Sequence, residues 1–127
     1  MARFFWICLG GAVGTGARYL LSSWLLRVAG ATFPWGTLAV NVLGSFLLGV
    51  LMEMSRTTGL LPPTLRLALT TGLLGGFTTY SSFNYETLRF FNQDAWLPGF
   101  LYMGGTLASC LIAGVLGLFA GRLLTGG

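Results

Sequence analysis

The sequence contains no histidine and no lysine, and only three acidic residues among 127. Zinc and di-iron sites are built from histidine, cysteine and clustered carboxylates, so such a metal centre is not expected. The chain also has no paired carboxylates at useful spacing and no glycine loop following a strand. These absences exclude the common catalytic arrangements, and we predict that the protein is not an enzyme.

Cysteine is scarce as well. Cys8 and Cys110 both lie inside apolar segments. Cysteines in such surroundings more often pack as small side chains than form a disulfide. We therefore predict two free thiols.

Charged residues make up 8% of the chain and hydrophobic residues 54%. Soluble domains carry about a quarter charged residues. A chain with so little charge cannot cover a water-facing surface, which indicates a protein embedded in lipid. The net charge of +4 comes from arginines scattered between apolar runs, whereas a nucleic-acid surface needs them clustered on one face.

Four long apolar runs cover residues 4–26, 35–54, 64–91 and 97–124. Each has about the 20 residues that a hydrocarbon core requires. The first run has some features of a signal peptide, but three more runs follow, and we interpret it as a retained helix. The sequence predicts an all-α membrane protein with a single four-helix domain over residues 1–127.

Small residues recur four positions apart in three runs: Gly10 and Gly14; Ser45 and Gly49; Gly105, Ser109 and Ala113. This spacing allows helices to approach closely in lipid, and ordinary packing explains most of these residues.

Four crossings place both termini on one side of the membrane, and the arginines are divided almost equally between the sides. The terminal side carries Arg3, Arg56, Arg66 and Arg122, and the other side carries Arg27 and Arg89 with Arg18 nearby. Arginine asymmetry normally sets orientation. The near balance is compatible with insertion in both orientations and equally with a weak bias towards cytoplasmic termini.

The third run contains TTGLLGGFTTYSSFNYE at residues 70–86. Its adjacent glycines and dense hydroxyl side chains make a poor continuous helix, so we predict a break near residues 75–80. Unwound backbone at membrane depth is tolerated where it is buried in protein or lines a watery cavity, and helix ends there face ions. The break is a candidate ion site, with a simple glycine kink as the alternative.

Asn41 lies about a third of the way along the second run. A lone amide in a membrane helix either holds helices together or donates to an anion in a pore. Tyr102, Thr106 and Ser109 add donors at helical spacing on the fourth run. Phe83 can turn its weakly positive ring edge towards an ion, although core packing is the simpler interpretation.

Arg18 lies deep in the first run. An intramembrane charge is a functional hypothesis by default, although a long side chain can also extend to the interface. At a pore mouth Arg18 would concentrate anions. Glu86 would then be its counter-ion or lie at the interface itself.

Three segments resemble the Fluc/CrcB-type fluoride channels: GGAVGTGARY (residues 10–19), PWGTLAVNVLGSFLLG (34–49) and TTGLLGGFTTYSSFNYE (70–86). The resemblance covers almost the whole chain, in order and with similar spacing. It implies a passive fluoride exporter of the cytoplasmic membrane. It also implies an antiparallel, dual-topology homodimer with two pores and a sodium ion at its centre.

The resemblance implies roles for individual residues. Asn41 would be the pore amide, and Tyr80 and Phe83 would turn ring edges towards fluoride. The family pattern has phenylalanine at both aromatic positions, so the role of Tyr80 is open. Tyr102 would line the pore from the fourth helix, and Arg18 would line a vestibule.

Further roles follow from the same resemblance. Hydroxyl side chains would lie beside the pore or the break: Thr79, Ser81 and Ser82. Gly75 and Thr78 would offer backbone carbonyls to sodium, doubled by the partner subunit. Cys110 occupies a position where a small hydroxyl residue is expected in some relatives.

The function predicted is a fluoride-selective channel that sheds fluoride accumulated as the neutral acid. Fluoride is small and tightly hydrated, so its pore must offer many neutral donors at close range. The alternative is a small four-helix, dual-topology drug or cation exporter. That mechanism needs a carboxylate in the first helix, and residues 4–26 contain none.

Overall fold

The computed structural model describes residues 1–126, and all the regular secondary structure in that range is helical. In chain order the elements are α1 (Ala2–Ala29), α2 (Trp35–Thr58), α3 (Pro63–Leu67), a π-helical segment (Ala68–Leu74), α4 (Gly75–Phe77), α5 (Ser81–Asn92) and α6 (Trp96–Leu124). Of these, α1, α2 and α6 are each long and apolar enough to cross a membrane. The prediction of an all-α fold is confirmed.

The helix ends follow local chemistry. Both α1 and α2 end at glycines with positive φ, Gly30 at 84° and Gly59 at 65°, a conformation that other residues rarely adopt. Pro63 opens α3, where its missing N–H costs nothing. α2 extends a turn beyond the predicted end at residue 54. The hydroxyls of Thr57 and Thr58 donate to carbonyls one turn back, at 2.9 and 2.7 Å, so both polar side chains are paired within the helix.

Glycines allow the long helices to pack backbone against backbone. α2 packs along α6, and α1 packs on the π-helical segment and α4. A Cβ atom on Gly49 of α2 would lie only 2.5 Å from the carbonyl oxygen of Gly114 in α6. On α6 the buried small residues continue the four-residue spacing seen in the sequence: Ala113, Gly117 and Gly121. In α1, Gly14 lies directly against the carbonyl of Leu73.

The glycines of the third run are helical, and the helix is interrupted after them. α4 ends at Phe77, Thr78 is extended (φ −86°, ψ 160°), and α5 begins at Ser81. We call residues 78–80 the inter-helix segment. Gly72 and Gly76 serve close packing instead of conformational freedom. A Cβ atom on them would lie 2.6 and 2.5 Å from carbonyl oxygens of α1.

Large apolar side chains cover the outside of the long helices. Leu20 of α1 is 69% exposed, and Leu107 and Leu111 of α6 are each 64% exposed. Soluble monomers rarely expose apolar surface on this scale. The outer surface is therefore suited to lipid.

Candidate functional site

A groove of about 360 Å³ lies between α2, the inter-helix segment and α6. Most of the residues predicted to form the site line it: Asn41, Gly75, Thr78, Thr79, Tyr80 and Phe83. Further hydroxyl and thiol groups complete its wall: Ser45, Thr70, Thr106 and Cys110. Arg18, Ser81, Ser82 and Tyr102 do not line this groove.

Asn41 holds the inter-helix segment through two hydrogen bonds. Its Nδ2 donates to the carbonyl oxygen of Thr79 at 2.9 Å, and its Oδ1 accepts from the Thr79 N–H at 2.8 Å. The side chain thereby replaces helical partners that the Thr79 backbone lacks. An amide nitrogen has two N–H groups. The second makes no hydrogen bond within residues 1–126 and remains available to the groove.

Arg18 contacts the C-terminal end of α4. Its Nε donates to the carbonyl oxygen of Gly76 at 3.0 Å, and the residue is half-buried. A guanidinium at this position satisfies a terminal carbonyl and complements the partial negative charge of a helix C-terminus. No salt bridge joins Arg18 to Glu86 in the described residues.

The carbonyl oxygens of Gly75 and Thr78 accept no hydrogen bond from any group in residues 1–126. The helical partners of these two oxygens are directed elsewhere. The Thr79 N–H, which would bond to Gly75, donates to Asn41, and the Ser82 N–H, which would bond to Thr78, donates to the Thr79 hydroxyl. Unpaired carbonyl oxygens at membrane depth are suitable ligands for a hard cation.

Aromatic rings form a continuous series from the groove into the protein. Tyr80 is 77% exposed, and its ring meets that of Phe83 edge to face at 5.9 Å. Phe83 lies 5.3 Å from Tyr102, which is 1% exposed. The Tyr102 hydroxyl donates to Glu86 Oε1 at 3.1 Å. Tyr102 therefore supports the aromatic series from behind and anchors α6 to α5.

Ser81 and Ser82 open α5 and face a different depression, which they share with Tyr85, Glu86 and Arg89. The Thr79 hydroxyl accepts a hydrogen bond from the Ser82 N–H at 3.2 Å. A threonine in this position satisfies one of the free N–H groups at a helix start. The two serines thus lie at the start of α5, outside the groove.

Glu53 is a charged residue for which no role was predicted from the sequence. It is buried at 4% exposure, and its Oε1 contacts Arg56 at 2.7 Å and Arg122 at 3.1 Å. An acid near the end of an apolar run, with an arginine three residues later, was the available signal. The pairing with Arg122 joins the ends of α2 and α6.

Comparison with known proteins identifies the family of the chain. The chain matches the family of CrcB-like proteins (Camphor Resistance, CrcB) over residues 5–118. A protein of Sorangium cellulosum named fluoride-specific ion channel FluC is 58% identical to it across the full length of both chains. The chain belongs to the CrcB-like family. Proteins with the same name from Anaeromyxobacter sp. strain K and Geobacter sulfurreducens are 51% and 45% identical, over 99% and 98% of the chain and the whole of each relative.

The family match includes every residue that lines the groove, from Asn41 to Cys110. It also includes Arg18 and the acidic member of the Glu53 cluster. Arg122 lies just beyond the matched range. The residues that line the groove therefore all lie within the matched range.

Proposed function

We propose that the chain is a fluoride-selective channel that lets fluoride leave the cell passively, and that it carries out no chemical reaction. The full-length relatives named as fluoride-specific channels carry this proposal. The 58% identity extends over the whole of both chains.

The groove supports the proposal chemically. It offers the neutral Asn41 amide, hydroxyl groups and the aromatic ring of Phe83, and none of its lining side chains is charged. Neutral donors can replace the hydration of a small anion and still release it. Arg18, bonded to Gly76 behind the groove, adds positive potential that attracts anions.

We propose that the channel is an antiparallel, dual-topology homodimer with two pores, in which residues 63–92 form a broken third crossing. Tyr80 and Gly75 are exposed on the groove, so this face is open to a partner subunit, which supports the assembly. The near balance of arginines on the two sides is compatible with insertion in both orientations.

A sodium ion at the centre of this dimer is part of the proposal. The unpaired carbonyls of Gly75 and Thr78 would hold it together with those of the partner, and they fit a hard cation. The ion would supply positive charge that neutralises these oxygens. Asn41 and Arg18 position the surrounding backbone through Thr79 and Gly76.

We place the channel in the cytoplasmic membrane, where export protects the cell. The alternative, a drug or cation exporter, is not favoured. α1 contains no acidic residue, and Glu53 is engaged by two arginines.

Fluoride efflux from liposomes, read with a fluoride electrode beside a chloride control, tests the function. We expect rapid efflux that excludes chloride and needs no proton gradient. Phe83→Ile removes the ring edge from the groove and should lower efflux roughly tenfold or more. Phe100→Ile, on the outer face of α6 at 55% exposure, is the matched control and should leave efflux unchanged. Equal efflux in the two variants would remove Phe83 from the pore.

The assembly and the cation need separate measurements. Light scattering in detergent should give the mass of two chains, and cysteines introduced at a terminus should be labelled from both sides of a vesicle. Replacing sodium by a large organic cation during purification should abolish efflux. Full activity in sodium-free protein would contradict the cation site.

A further inference from the structure

Cys110 lies in the wall of the groove, one helical turn after Thr106 on α6. It is a half-buried free thiol, whereas the other cysteine, Cys8, is exposed on α1 and lies outside the groove. The same groove includes Asn41 and Thr79. An atom attached to the Cys110 sulfur would therefore occupy space that the proposed ion path uses.

The Thr106 hydroxyl indicates that this wall faces a ligand. Other hydroxyls in this part of the protein donate to carbonyls four residues earlier in the chain: Thr70, Thr78, Thr87 and Ser109. Thr106 is 6% exposed, and its Oγ1 has no hydrogen-bond partner in residues 1–126. Buried polar groups are nearly always paired, so an unpaired hydroxyl on the groove points to a species that binds there. Cys110 stands next to that position.

We propose that Cys110 is a modification site at which a small neutral thiol electrophile closes the channel. With methyl methanethiosulfonate, the Cys110 thiolate attacks the sulfenyl sulfur. A new S–S bond forms, methanesulfinate leaves, and the thiol proton passes to water. The methylthio group then remains beside Thr106 within the groove. The closure depends on the proposed channel function, whereas the modification does not.

Two variants separate the thiols. Cys8→Ser leaves Cys110 as the only thiol, and Cys110→Ser leaves Cys8. Both proteins are treated with methyl methanethiosulfonate in liposomes, and intact mass and fluoride efflux are measured. We expect the mass of one methylthio adduct on each protein. Treatment should reduce fluoride efflux roughly tenfold or more in Cys8→Ser only, and dithiothreitol should restore that efflux. Cys110→Ala replaces Cys110→Ser if the serine variant does not fold.

Two results would overturn the proposal. The first is a Cys110 that stays unmodified in folded protein but reacts after unfolding in detergent, since it would not face an accessible groove. The second is complete modification of Cys110 with unchanged efflux. Failure of the proposed channel function can be distinguished from both results, because the untreated protein would then show no fluoride efflux at all. In that case modification of Cys110 in folded protein would still support the accessible site.

Discussion

Replacing Gly49 by alanine tests the backbone contact between α2 and α6. The added Cβ would lie 2.5 Å from the carbonyl oxygen of Gly114 and 3.1 Å from the backbone nitrogen of Leu118. Ordinary contacts of a Cβ atom begin at 3.4 Å. The two helices must therefore separate by almost 1 Å at this point, because backbone atoms cannot rotate aside.

Two effects of opposite sign determine the stability of this variant. Overpacking a well-filled interface costs about 1–3 kcal/mol. Alanine in place of glycine within a helix stabilises the folded protein by about 0.5–1 kcal/mol. We expect a net loss of about 1–2 kcal/mol, equivalent to a change of roughly 5–30-fold in the folding equilibrium.

Gly114→Ala is the matched control, because it adds the same methyl group at the same interface. Its Cβ would lie 4.0 Å from the nearest atom, the carbonyl oxygen of Ser45, which is an ordinary contact. This variant should be as stable as the parent protein or slightly more stable.

Reversible unfolding in mixed micelles, followed by circular dichroism as the denaturing detergent is raised, measures both variants. Gly49→Ala should unfold at a lower detergent fraction than the parent, and Gly114→Ala should not. If both variants unfold together with the parent, the close approach of α2 and α6 is not as the structure describes.

Two further substitutions address the charged cluster and the inter-helix segment. Glu53→Gln keeps the shape but leaves Arg122 and Arg56 without their shared carboxylate, so the melting temperature should fall while fluoride selectivity stays unchanged. A selectivity change in that variant would contradict a purely stabilising role. Asn41→Asp puts a second acceptor against the Thr79 carbonyl in place of the donating N–H. It should suppress fluoride efflux in liposomes, and normal efflux would exclude Asn41 from the pore.

The number and length of the apolar runs were enough to predict the helical class from the sequence. Asn41 and the hydroxyl-rich residues 70–86 directed attention to the groove from local signals alone, whereas the roles of Tyr80, Gly75 and Thr78 came from the family resemblance. These roles stay predictions. The start of α6 at Trp96 lies beside the residue 97 predicted from composition.

Contacts between distant parts of the chain could not be predicted. The Asn41 side chain bonds to the backbone of Thr79, 38 residues later in the sequence. Arg122 donates to Glu53, 69 residues earlier in the sequence. Such partners depend on how the helices cross, which periodicity does not determine. The interruption was predicted near residues 75–80, and the structure has it at residues 78–80. Gly72 and Gly76 remain helical and pack against α1, because whether a glycine serves a bend or a close contact depends on the opposing helix.

The π-helical segment Ala68–Leu74 has a consequence for how chain length can vary. A π-helical turn accommodates a residue more than an α-helical turn does. Deleting one residue there would let the segment relax to an ordinary helix, and the residues after it would keep nearly the same direction, because the wider turn already holds the extra residue. Deleting one residue from a regular helix such as α5 would instead rotate everything after it by about 100°. The π-helical segment is therefore a place where the chain can shorten by one residue while Gly75 and Thr78 stay beside Asn41 on the groove.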